Sequence, residues 1–147
     1  MVTPTCVLAP TTDLHIATGD LPWRALFPGV DFKLLRVSAE NGAFTLLLRT
    51  LAGASLPRHR HLGAGEYYMV SGRMLVRGGK ERGGITALAG DWGYEPLSMI
   101  HDSTEFPEAS ELLFTNHGPI QFLDDNDNTV AILDWQEVQR LASGPVV

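Results

Sequence analysis

Short apolar runs at near-regular spacing dominate the chain from Asp31 onward, and they restrict its possible folds more than any other feature. Each run holds four to six residues, and Gly, Pro, Asn or Asp residues separate neighbouring runs. Many short strands punctuated by turn residues are typical of an all-β sandwich or barrel. The predicted strands are Phe32–Val37, Phe44–Arg49, Tyr67–Val70, Met74–Arg77, Ile85–Leu88, Leu112–Thr115, Ile120–Leu123 and Val130–Leu133.

The two ends of the chain have different patterns. Residues 1–30 are rich in Pro, Thr and Gly, which predicts an irregular arm with one helical turn over Trp23–Phe27. At the other end, Asp134 can cap a short amphipathic helix. The 147 residues suit one domain. We therefore predict an arm over 1–30, a β-barrel over 31–133, and a helix and tail over 134–147.

Composition excludes several classes of function. The net charge of −6 disfavours nucleic acid as a partner, because phosphate binding needs clustered Lys and Arg. Cys6 is the only cysteine, which excludes an intrachain disulfide and a thiolate metal site. No apolar run approaches the roughly 18 residues of a membrane span. Because no basic residue precedes Arg24, the N-terminus also lacks the start of a secretory signal, and we expect a cytoplasmic protein.

Three of the five histidines have spacings that suit a metal site. His59 and His61 are two residues apart, so on a strand both side chains point to the same face. Their Cα atoms would then lie about 7 Å apart, close enough for both rings to bind one ion. A third ligand must come from another strand, and His101 is the candidate. The alternative is three unrelated histidines, each satisfied by hydrogen bonds.

Glycine and glutamate residues surround the first histidine pair in a recognisable order. This stretch resembles the first motif of the cupin superfamily, which is Gly, five residues, His-x-His, three or four residues, Glu, six residues and Gly. One residue is missing here between the glutamate and the last glycine. The matching positions are Gly53, His59, His61, Glu66 and Gly72.

The segment around the third histidine resembles the second cupin motif. Gly90, Pro96 and His101 match it, whereas Ser98 replaces a glycine and Glu105 replaces an asparagine. The resemblance implies a small jelly-roll β-barrel with one metal ion in its mouth, commonly in a homo-oligomer. It covers the chain from about residue 31 to 133.

The missing residue in the first motif affects the glutamate. Counting back from Gly72 places the family's glutamate at Gly65 rather than at Glu66. A slip of one residue on a strand turns a side chain to the opposite face. By strand alternation, Tyr67 points inward like His61, whereas Glu66 points outward unless a bulge intervenes. We therefore predict that Glu66 does not reach the metal and is instead a solvated or interface carboxylate.

Three neutral imidazoles would leave the full charge of a divalent ion uncompensated, which favours an anionic chelating oxygen ligand such as an enolate. This composition resembles the three-histidine cupin dioxygenases, above all the acetylacetone-cleaving group. The resemblance implies Fe(II) as cofactor, with O2 and a small carbonyl compound as substrates. Zn, Ni and Mn also accept imidazole ligands. At the pocket wall, Leu56 and Leu112 are smaller than the aromatic residues that the group leads us to expect.

The same resemblance implies an outer layer of polar groups around the metal, formed by Arg77, Glu95 and Thr104. Glu95, with Arg77 and Thr104 behind it, would hold waters or substrate. An ordinary surface ion pair between Arg77 and Glu95 is the alternative. Tyr67 would line the pocket, and simple core packing is its alternative.

Two further classes of function stay open at this point. The chain also resembles the zinc-binding cupin domain of ChrR-like anti-sigma factors, which implies a sensor or binding module. An isomerase or decarboxylase could use the same metal as a Lewis acid only. The leading prediction is a non-haem Fe(II) dioxygenase that cleaves a C–C bond of a small β-dicarbonyl or hydroxyketone.

Overall fold

The computed structural model describes residues 12–147, so Cys6 and the first part of the predicted arm lie outside the described residues. Two short 3-10 turns, Thr18–Asp20 and Lys80–Arg82, accompany the strands and one α-helix. The strands are β1 Arg24–Phe27, β2 Val30–Val37, β3 Phe44–Thr50, β4 Ala54–Leu56, β5 His59–His61, β6 Gly65–Ser71, β7 Arg73–Val76, β8 Ile85–Leu88, β9 Trp92–Glu95, β10 Ile100–His101, β11 Thr104–Phe106, β12 Ser110–Asn116, β13 Ile120–Leu123 and β14 Thr129–Leu133, and the helix is α1 Trp135–Ala142.

The strands form antiparallel sheets of a jelly roll, which confirms the predicted all-β cupin fold. The largest sheet has the order β1-β2-β3-β12-β6-β9. Two four-stranded sheets, β10-β5-β13-β14 and β4-β11-β7-β8, complete the fold. Within the described residues, hydrogen bonds do not join these sheets into one closed barrel.

Strict alternation of side chains places the core between the sheets. On β3 and β12 every second residue is buried, and Leu112 lies opposite Leu48 in the register of the two strands. Each buried side chain removes apolar surface from water at about 25 cal/mol per Å². The inward row of β12 begins and ends with polar residues, Ser110 and Asn116, of which Asn116 is 1% exposed. The inward row of β12 is therefore apolar in its middle and polar at both ends.

Every predicted strand falls on an observed strand, although the short strands β1, β4, β5 and β9–β11 were not among the predicted strands. The predicted helical turn over Trp23–Phe27 is wrong, because these residues enter β1. Phe27 pairs with Val30 across a two-residue turn in which Gly29 has φ +73°, a conformation that glycine adopts without strain. This turn directs the chain back along β2, and pairing with β2 overrides the local helical preference.

The C-terminal helix confirms the prediction from Asp134. The Asp134 carboxylate accepts a hydrogen bond of 2.9 Å from the backbone N–H of Glu137, as expected of an N-cap residue. Val138 is fully buried, and the helix packs against β2. No helix in residues 12–147 has both the length and the apolar character that crossing a bilayer requires.

Candidate metal centre

Strand β5 carries the first two histidines of the centre. His59 and His61 both point inward and are buried, whereas Arg60 between them is half-buried and lies on the other face. Strand β10 pairs with β5 so that His101 lies directly opposite His59. The third histidine therefore reaches the same face from a neighbouring strand, and its side chain is also buried.

A carboxylate from the large sheet completes the cluster. Glu95 ends β9, is 6% exposed, and places one carboxylate oxygen 2.6 Å from His101 Nδ1 and 3.0 Å from His61 Nε2. His59 Nε2 lies 3.2 Å from His101 Nδ1. The four candidate ligand atoms all lie within 4.8 Å of one another. Glu95 thus lies within 3.0 Å of ring nitrogens of two of the three histidines.

These separations fit a shared metal ion. Two ligand atoms that each lie about 2.1 Å from an ion are roughly 3.0–3.4 Å apart in octahedral or tetrahedral geometry. The His59 Nδ1–H donates to the carbonyl of Pro57 at 2.7 Å, which leaves Nε2 unprotonated and directed at the cluster. His61 Nε2 contacts Glu95 at ion-pair distance without the geometry of a hydrogen bond. Nitrogen and carboxylate donors of this kind suit Zn²⁺, Fe²⁺ and related ions.

Burial sets the charge of the cluster. It lowers the pKa of His59 from 6.5 to about 4, and the nearby imidazoles act in the same direction. Burial also lowers the pKa of His101. For Glu95, burial raises the pKa, but the close contact with His61 and the neighbouring histidines outweigh it, so the pKa lies below its ordinary value. At neutral pH, His59 and His101 are therefore neutral imidazoles and Glu95 is a carboxylate, the protonation states that metal binding requires.

The structure places Glu66 away from this cluster. Its neighbours Gly65 and Tyr67 are buried on β6, whereas the Glu66 side chain lies on the outer face. There the Glu66 Oε2 atom lies 3.2 Å from Nε2 of His117. Gly65 occupies the inward position and pairs directly with Glu95 on β9. The carboxylate of the centre thus comes from the strand beside the one that carries the motif's glutamate.

Arg77 follows β7 and is half-buried. In the part of the chain that the structure describes, no carboxylate lies within 4.0 Å of its guanidinium, so the considered ion pair with Glu95 is not formed. The reason is that the Glu95 carboxylate turns toward the histidines. The Arg77 charge still acts on the centre, because it is one of the causes that lower the pKa of His101.

An apolar cavity adjoins the centre. His59 and Glu95 are at its polar side, and eleven of its fifteen lining residues are apolar, including Leu56 and Leu112. Thr104 also lines it, and its buried hydroxyl has no hydrogen-bond partner among residues 12–147. A mostly apolar pocket with a few polar groups is typical of small-molecule sites.

Tyr67 does not belong to the cavity lining given by the described residues. Its ring is buried, stacks on Phe114 with 6.5 Å between ring centroids, and lies over Gly93. A Cβ at Gly93 would lie 2.1 Å from the ring, so only glycine fits there. Burial raises the pKa of Tyr67, with Glu95 and Asp91 as smaller causes. The packing of Tyr67 supports β9, and through it the position of Glu95.

Asn116 is a cavity residue that the sequence analysis missed. Both atoms of its amide group are buried, and neither has a hydrogen-bond partner in the described part of the chain. The alternation of side chains along the strand could have identified this residue, because Asn116 follows Leu112 and Phe114 on the inward face of β12. A polar residue in such an inward row is a candidate for a functional role.

The comparisons with known proteins agree on the fold. A profile of the ChrR cupin-like domain matches residues 11–121. The acetylacetone-cleaving enzyme of Acinetobacter johnsonii is 40% identical over 111 residues, which cover 76% of this chain and 72% of that protein.

Two crystal structures superimpose on nearly the whole chain. One is a candidate acetylacetone dioxygenase from Methylibium petroleiphilum, with a TM-score of 0.88, 34% identity, and coverage of 94% of this chain and 99% of that chain. The other is an acetylacetone dioxygenase from Acinetobacter johnsonii, with a TM-score of 0.85, 34% identity, and coverage of 93% and 95%.

Proposed function

The chain belongs to the family of ChrR cupin-like domains. Within this family, we propose that it is a metal-dependent dioxygenase acting on a small β-dicarbonyl or hydroxyketone. The observation that carries the proposal is the cluster of His59, His61, His101 and Glu95 beside an apolar cavity. Its similarity to acetylacetone-cleaving enzymes over most of both chains supports the reaction class.

In this proposal the three histidines hold one divalent ion, with Fe(II) as the favoured metal. The close approach of their ring nitrogens and the unpartnered His61 nitrogens support this assignment. When bound, the ion would supply Lewis acidity toward two substrate oxygens and one-electron chemistry toward O2. The neutral imidazoles leave its positive charge available for an anionic substrate.

Glu95 is the proposed base for the substrate. Its carboxylate is ionised at neutral pH, and it lies between the histidines and the cavity. A β-dicarbonyl carries its acidic proton on the carbon between the two carbonyl groups. Removal of that proton by Glu95 gives the enolate, whose two oxygens match a chelating site. General base catalysis requires the carboxylate to lie within hydrogen-bond reach of the substrate's proton, and the place of Glu95 on the cavity wall supports that role.

The remaining predicted residues have supporting roles in the proposal. The Thr104 hydroxyl lines the cavity, has no hydrogen-bond partner among residues 12–147, and would hold a water or a substrate oxygen. Arg77 would hold positive charge near His101. Tyr67 would keep Glu95 in place through its packing on Gly93. Leu56 and Leu112 would enclose the organic part of the substrate.

We also propose that the protein is a homo-oligomer. Large apolar side chains on the outer face of the β6–β9 pair support this: Tyr68 is 46% exposed, Trp92 is 62% exposed and Tyr94 is 54% exposed. Tyr68 and Trp92 are direct cross-strand partners, so they form a continuous patch at the edge of the large sheet. The cytoplasmic location stays a prediction.

Oxygen uptake by metal-loaded protein tests the proposed function. The protein is purified without O2, stripped of metal, reloaded with Fe(II) or Zn(II), and mixed with a panel of β-dicarbonyls and hydroxyacetophenones. We expect the Fe(II) form to consume one O2 per substrate cleaved and to place both oxygen atoms in the products, while the Zn(II) form is inactive.

Other outcomes would contradict the proposal. Equal turnover with zinc, or product formed without loss of O2, would indicate Lewis-acid isomerisation or decarboxylation. Tight zinc binding without turnover of any compound would favour a ChrR-like sensor. The Zn(II) form of the same preparation is the control for metal-independent O2 loss.

A further inference from the structure

Three residues from neighbouring strands form one row on the inner face of the large sheet. Asn116 on β12 pairs with Gly65 on β6, and Gly65 pairs with Glu95 on β9. Because adjacent strands lie about 4.8 Å apart, the Cα atoms of the outer two residues are about 10 Å apart. Gly65 has no side chain, so a notch lies between the Asn116 and Glu95 side chains.

The imidazole of His61 fills this notch from the opposite sheet. Its Nε2 lies 3.0 Å from the Glu95 carboxylate. Its Nδ1 lies 3.3 Å, and its Cε1 3.1 Å, from the point that a Cβ on Gly65 would occupy. The amide oxygen of Asn116 lies 3.3 Å from the same point. Glu95 thus lies on the Nε2 side of the ring, and the Asn116 amide oxygen and His61 Nδ1 both border the space above Gly65.

The two groups that meet at the notch are both unsatisfied. Within residues 12–147, neither His61 Nδ1 nor the amide oxygen of Asn116 has a hydrogen-bond partner, and both atoms are buried. Leaving a buried polar group without a partner costs about 1–3 kcal/mol, so natural proteins rarely retain one without a function. A ring N–H is a donor and an amide oxygen is an acceptor, so these two groups are complementary.

We propose that Asn116 is a positioning residue for His61. When His61 Nε2 binds an ion, the Asn116 amide oxygen would accept a hydrogen bond from His61 Nδ1–H, which holds the ring with its Nε2 lone pair toward the metal. Pro57 has the same effect on His59, whose Nδ1–H donates to its carbonyl oxygen at 2.7 Å. The inference rests on the proposed metal site, because the bond gains its role when Nε2 binds an ion.

The first test reads the tautomer directly. Two-bond ¹H–¹⁵N spectra of the full chain at pH 7, before and after Zn(II) is added, distinguish protonated from unprotonated ring nitrogens. A His61→Gln spectrum assigns the His61 signals. In the Zn(II)-loaded protein we expect His61 to carry its proton on Nδ1, and this N–H should exchange with water faster in Asn116→Leu than in the wild type, because its acceptor is lost. Thr104→Val removes another unpartnered cavity group and should leave the His61 signals unchanged.

The second test measures Zn(II) affinity by competition with a chelator. Loss of a hydrogen bond behind a metal-binding histidine typically lowers affinity 10–100-fold, which we expect for Asn116→Leu. Asn116→Asp keeps an acceptor oxygen and should bind Zn(II) within threefold of the wild type, or more tightly. Gly65→Ala inserts a methyl group between His61 and Asn116 and should weaken binding as Asn116→Leu does.

Two results separate failure of this inference from failure of the metal site. If Zn(II) leaves the ring signals of His59, His61 and His101 unchanged in the wild type, the metal site itself is wrong. If Zn(II) shifts all three, but Asn116→Leu keeps the wild-type exchange rate of the His61 Nδ1–H and an affinity within twofold, the role of Asn116 is wrong. A matching backbone spectrum establishes that each variant is folded.

Discussion

Acidification should destabilise the metal-free protein before most carboxylates titrate, because His59 is buried as a neutral imidazole. In the folded state its pKa is about 4, whereas an exposed histidine has a pKa of 6.5. Above pH 6.5 both states are neutral and His59 has no effect. Between pH 6.5 and 4 the unfolded chain binds a proton that the folded chain does not, so the free energy of unfolding falls as pH falls.

The magnitude follows from the two pKa values of His59. Each pH unit between them corresponds to about 1.4 kcal/mol for one proton, which amounts to about 3 kcal/mol over the whole interval. Between pH 6.5 and 5 the loss is about 2 kcal/mol. The pKa of His101 is lowered by burial as well, so this residue adds to the loss. A domain of this size is stabilised by only about 5–15 kcal/mol, so the effect is measurable.

Urea unfolding of chelator-treated protein at pH 7, 6.5, 6, 5.5 and 5 measures this dependence. The glutamine in His59→Gln does not bind this proton. Between pH 6.5 and 5, the free energy of unfolding of the variant should therefore fall with pH less steeply than that of the wild type, the difference in slope being about 1.4 kcal/mol per pH unit. His117→Gln, which changes an exposed histidine outside the cluster, is the matched control and should keep most of the wild-type slope. Identical slopes for His59→Gln and wild type would refute the argument that burial keeps His59 neutral.

Two other substitutions test the structure around the site. Leu112→Ala should lower the free energy of unfolding by about 2–4 kcal/mol, because Leu112 is 1% exposed and lines the cavity. Leu113 lies on the outer face of β12, so Leu113→Ala should lower it by less than about 1 kcal/mol. Equal losses in urea unfolding would contradict the assigned faces. Glu66→Gln should leave Zn(II) affinity within about twofold, whereas Glu95→Gln should lower it about tenfold or more in a chelator competition. The reverse order would mean that Glu66 is the carboxylate of the centre.

Local patterns were sufficient to predict eight of the fourteen strands in residues 12–147 and the histidine cluster. Alternating burial on β3 and β12 follows directly from the sequence, and so does the common face of His59 and His61. These features depend on the period of a strand, which is fixed by backbone geometry. The cap at Asp134 was predictable for the same reason, since it depends on contacts within one helical turn.

Features that depend on the pairing of distant strands were harder to predict. The position of Glu95 follows from the pairing of β9 with β6, which places it beside Gly65 and in front of His61. The sequence alone does not specify that register, so the contacts of Glu95 with His61 and His101 could not be predicted from it. Asn116 was missed because its significance depends on the same row of residues.

The most direct test of the metal centre is a crystal structure of the Zn(II)- or Fe(II)-loaded protein, with anomalous diffraction recorded at the edge of the metal. We predict one strong anomalous peak per chain, with a ring nitrogen of His59, His61 and His101 each about 2.0–2.2 Å from it. A peak at another site, or one that leaves any of these three histidines unbound, would contradict the proposed centre.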